Sequence, residues 1–73
     1  MELVERLRHL APHWMEHNES HAAQLEEWAG KARKGGLVEV ADEMAAAAAA
    51  MREAKGRLAA AARLLQRVRE ERS

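Results

Sequence analysis

Four histidines, His9, His13, His17 and His21, follow one another at intervals of four residues. On an α-helix that spacing stacks successive imidazoles about one turn apart on one face. Two imidazoles so placed can chelate a single transition ion, as helical metal sites do. Each step of four rotates about forty degrees, so the line winds slowly around the helix. His13, His17 and His21 stay within one broad face, while Pro12 leaves the alignment of His9 open. Glu16 and Glu19 stand among them, with Glu26 and Glu27 further on, and no Lys or Arg occurs between His13 and Glu27. A negative patch that attracts a divalent cation is expected.

The expected ligands are His13, His17 and His21, assisted by Glu16. His9 and Glu53 are candidates for a further position. Asn18 and Trp14 stand close enough in sequence to orient an imidazole from behind. A polar Asn18 in a helical seam can equally fix register or oligomer state. Imidazole and carboxylate without thiolate suit Ni(II), Zn(II), Co(II) or Cu(II) rather than an iron–sulfur cluster. Nickel and zinc lead, and the sequence does not choose between them. Binding of this kind weakens below about pH 6, because imidazole must lose its proton to bind. The competing reading is a structural or adaptor module whose histidines only pack and hydrogen-bond.

Residues His13-Trp14-Met15-Glu16-His17 also match H-x-x-E-H, the inverted zinc-peptidase motif. A peptidase needs a substrate cleft and a distant third ligand, and a chain of this size offers neither. The E-x-x-H pattern of di-iron bundles is absent. The expectation is that the protein is not an enzyme.

The elements that must hold these groups are helical. The chain has 73 residues, seventeen of them alanine, with one proline and no cysteine. So short a chain buries little surface and usually needs a staple or a partner. Without thiols, a metal or self-association is the expected source of stability. Twelve Lys+Arg balance twelve Asp+Glu, which argues against nonspecific nucleic-acid binding. The alanine run at 45–50 is far too short to span a bilayer. With no basic leader in view, the protein is expected in the cytoplasm, away from membranes.

Gly35-Gly36 punctuates two long stretches of strong helix formers. Lys31, Arg33 and Lys34 before it, and Glu39, Asp42 and Glu43 after it, match the dipoles of an ending and a beginning helix. The second stretch carries a heptad stripe, Leu37, Val40, Met44, Ala47, Met51, Ala54, Leu58, Ala61, Leu65 and Val68. The first offers Leu3, Leu7, Leu10, Trp14, His17/Asn18, His21, Leu25, Trp28 and Ala32. Folding back at the glycines pairs residues whose numbers sum to roughly 71, large against small. The prediction is an all-α antiparallel hairpin forming a single domain, with helices at about 2–10, 12–34 and 37–71 and the first arm kinked or broken at Pro12. One buried seam is marginal, so two hairpins are expected to dimerise into a four-helix bundle.

The segment Leu10-Ala11-Pro12-His13-Trp14-Met15-Glu16-His17-Asn18-Glu19-Ser20-His21-Ala22 resembles the L-x-P-H-W-x-E-H-N-x-x-H-A signature of small helical proteins of archaea and anaerobic bacteria. Glu26-Glu27-Trp28-Ala29 and Gly36-Leu37-Val38-Glu39-Val40-Ala41 fit the same pattern. Similar segments occur alone or beside nickel-handling modules of the CooT type, which are linked to carbon monoxide dehydrogenase maturation. The resemblance implies nickel or a related ion at His13, His17 and His21, with a metalloenzyme maturation partner. His9 falls outside the signature, and the cysteine ligand of the CooT module has no counterpart here.

Overall fold

A computed structural model describes residues 2–72 as two helices, α1 (Glu2–Lys34) and α2 (Val38–Arg72), lying antiparallel as a hairpin of 57 × 14 × 12 Å. Among the described residues there is no strand, and no helix is long and apolar enough to cross a membrane.

The turn is built by a hydrogen-bond pair that closes the C-terminus of α1. Leu37 N–H donates to the Ala32 carbonyl at 2.9 Å and Gly36 N–H to the Arg33 carbonyl at 3.1 Å. This is the Schellman arrangement, which needs a left-handed residue at its apex. Gly36 fills that place with φ of +86°, the one positive φ among the described residues. The punctuation expected at 35–36 is therefore where the chain reverses.

Pro12 does not divide the first arm. The expected break between a helix at 2–10 and another at 12–34 is absent, because α1 runs unbroken through Pro12. The imide nitrogen cannot donate to the carbonyl of residue 8, so one rung is missing. Pro12 is exposed, however, while Val4 and Ala11 are buried against α2 on the inner side. Packing of the segment before the proline offsets the lost bond, so the helix is not broken there.

The seam also differs from expectation, and alanine is the reason. The most buried residues are Val4, Ala11, Ala22 and Ala29 on α1 with Ala41 and Ala48 on α2; Ala22, Ala41 and Ala48 are 0% exposed. Small side chains let the helix axes close up, so small packs on small. The bulky residues expected there stand outside: Leu3, Leu10, Trp14 and Trp28 on α1, Leu37 and Val40 on α2. On α1 Val4, Ala11, Ala22 and Ala29 take the places predicted for Leu3, Leu10, His21 and Trp28, one residue on, while Leu7, Asn18, Leu25 and Ala32 are half-buried as predicted. On α2, Met44, Met51, Leu58 and Leu65 hold their predicted place at its edge, half-buried, while Ala41 and Ala48 displace Val40 and Ala47 from the centre.

Candidate functional site

The seam divides the hairpin into two unlike flanks. One is a seven-residue stripe on α1, Glu5, Pro12, Glu19, Glu26 and Arg33. All but the proline reach α2. Glu5 pairs with Arg69 at 3.6 Å, Glu26 with Arg52 at 2.7 Å and Arg33 with Asp42 at 2.7 Å. Glu19 accepts from Arg52 Nη2 and Lys55 Nζ, each at 3.0 Å. Those two donors hold the Glu19 carboxyl down at about 2, well below the ordinary 4.5. The hydrogen bond from Arg52 likewise lowers Glu26, and the two carboxylates together raise Arg52.

The acidic patch expected around the histidines is thereby largely neutralised. Glu19 and Glu26 are spent on α2, and Glu27 pairs with Lys31 at 3.4 Å. This charged stripe has only a partial sequence signature, Glu5, Glu19 and Glu26 sharing one seven-residue register that Pro12 interrupts.

The other flank is apolar. Leu7, Trp14, His21 and Trp28 form its seven-residue stripe, bordered by Leu3, Leu10 and His17. Leu7 and Trp14 line a groove of 260 Å³ with Leu58, Ala61, Leu64 and Val68 of α2. Lys31 Nζ sits 4.2 Å over the Trp28 ring, a cation–π contact at the end of the stripe.

His17 and His21 sit in the middle of this flank. Their ring centroids are 4.3 Å apart at an interplanar angle of 69°. Both side chains are exposed, and neither makes a hydrogen bond or ion pair among the described residues. The spacing of one turn therefore brings two imidazoles into edge-to-face contact on a face open to solvent.

The remaining expected ligands are not gathered there. Among the described residues no three His, Cys, Asp or Glu side chains converge. His9 and His13 continue the winding line outward and are exposed. Glu16 lines a different groove, of 680 Å³, with Pro12, Glu19 and Lys55 on the charged side. Glu53 faces solvent and approaches Arg57 at 3.9 Å. Asn18 occupies the seam stripe, half-buried, rather than bonding either imidazole; Trp14, 43% exposed, lines the apolar groove.

Fold and site together define an all-α helical hairpin with an imidazole pair on an apolar flank. The chain belongs to the family described as "Domain of unknown function (DUF8180)", whose model matches residues 7–65. That span takes in both arms, the turn and the histidine pair. No curated protein and no solved structure matches the chain.

Proposed function

We propose that the protein binds a divalent transition ion, nickel or zinc, through His17 and His21, for metal storage, delivery or sensing. One observation carries this reading: two exposed imidazoles lie side by side, 4.3 Å between centroids, with no protein group claiming their nitrogens. The resemblance of Leu10–Ala22 to segments found beside nickel-handling modules favours nickel and a maturation partner. His13 and Glu16, which the sequence also offered as ligands, stand apart from the pair and are not ligands in this reading. The role is non-catalytic, cytoplasmic and independent of nucleic acid.

Calorimetric titration with Ni(II) and Zn(II) tests this. Saturable heats in the wild type, abolished in His17→Ala and His21→Ala but kept in His9→Ala, are expected. Weak and equal heats in all four proteins would leave the adaptor reading, to which the exposed Trp14 and Trp28 lend support.

A further inference from the structure

The turn end of the hairpin carries a groove that the imidazole pair does not use. It has a volume of 450 Å³ and lies between Leu25 of α1 and Glu39, Val40, Glu43, Met44 and Ala47 of α2. A second depression, of 380 Å³, shares Glu39 and Val40 with it and continues to Gly36 and Leu37 at the turn. Trp28 stands one turn on from Leu25, and both Trp28 and Leu37 are 57% exposed. Between Glu26 and Glu43 there are five carboxylates and three cations. Glu26, Glu27 and Asp42 are paired with Arg52, Lys31 and Arg33. Glu39 and Glu43 join no ion pair or hydrogen bond among the described residues. Glu39 lies in the first turn of α2, where an anion suits the helix dipole. Glu43 lies beyond that turn, and nothing in the fold engages it.

We propose that this groove receives an amphipathic helix of another protein, one that carries Lys or Arg beside its apolar face. Charge complementarity selects the occupant. Leu25, Val40, Met44 and Ala47 suit the aliphatic stem of a long cationic side chain, and the two free carboxylates suit its head. The exposed Trp28 and Leu37 give the same ligand apolar surface to cover, which a small cation would leave bare. A metal ion is poorly served, because no three His, Cys, Asp or Glu side chains converge among the described residues. Anionic lipid headgroups are repelled by the acidic excess at this end. A groove between two helices is the ordinary seat for the apolar face of a third. The docking is independent of the metal reading above.

Fluorescence anisotropy of a labelled synthetic helix of leucine and lysine, titrated with the metal-free chain, tests this. A leucine–glutamate helix of the same pattern is the control. Saturable binding of the lysine helix and none of the glutamate helix are expected. Glu39→Gln/Glu43→Gln should weaken binding about tenfold, the combined effect of two exposed ion pairs. Val40→Ser should weaken it too, while Glu53→Gln/Glu71→Gln, matched in charge, should bind as the wild type does. Circular dichroism checks helicity, and if the first double variant frays α2, Glu43→Gln alone decides. Equal affinity for the two synthetic helices, or equal affinity of the two double variants for the lysine helix, overturns the proposal. So does a two-chain mass of the wild type by light scattering that Val40→Ser reduces to one chain, since a second copy then fills the groove.

Discussion

Glu19 and Arg52 are 33 residues apart in sequence and 3.0 Å apart between carboxylate and guanidinium, and Lys55 shares the same carboxylate. This bridge fastens the middle of one arm to the other. The folded carboxyl, held at about 2, lies below its ordinary 4.5. Its stabilisation is therefore fully present above the ordinary value and is lost as pH falls from there through about 2. Thermal melts of the wild type and Glu19→Gln should differ at pH 7, with the wild type higher. The gap should close between about pH 4.5 and 2 and shrink in high salt, since the pair is part-exposed. A gap independent of pH would assign the effect to packing.

Ala22 is 0% exposed in a seam built of alanines. Ala22→Leu adds bulk where the axes are closest and should cost about 1–3 kcal/mol. Ala23→Leu, one position round on the exposed side, should be nearly neutral. Denaturant melts of the metal-free proteins make the comparison; equal midpoints would show that the seam is not tightly closed.

The turn glycines should behave differently from each other. Gly36 has φ of +86° and open space where a Cβ would stand, so Gly36→Ala meets no clash but strains the backbone. A loss of about 1–2 kcal/mol is expected. At Gly35 an added Cβ lies in ordinary contact, 3.5 Å from the Lys31 and Ala32 carbonyl oxygens. Gly35→Ala should be neutral or stabilise by up to about 1 kcal/mol.

The hairpin was legible because each of its signals was local and redundant: two glycines, opposite charges either side of them, and strong helix formers throughout. The facing of α1 was not. A stripe read from hydrophobicity selects the largest residues, Leu3, Leu10, Trp14 and Trp28, whereas the seam selects the smallest, Ala11, Ala22 and Ala29. The two stripes lie one residue apart, and side-chain size alone does not reveal which faces inward. At Pro12 the sequence leaves a kink and a break open, because the missing rung is a local signal whereas the packing of Val4 and Ala11 that keeps the helix unbroken is not. Within the site, adjacency of His17 and His21 follows from their spacing. The separation of Glu16 and the neutralisation of Glu19 and Glu26 depend on where α2 places Arg52 and Lys55, which no local pattern encodes.

Nickel retention after dialysis at neutral pH bears most directly on the imidazole pair. The wild type and a His9→Ala/His13→Ala double variant should hold the ion alike, and lose it as acid protonates the ligands. A His17→Ala/His21→Ala variant of equal helicity should retain none. Equal retention by all three proteins, or none by the wild type, would contradict the assignment of these two residues as the metal ligands.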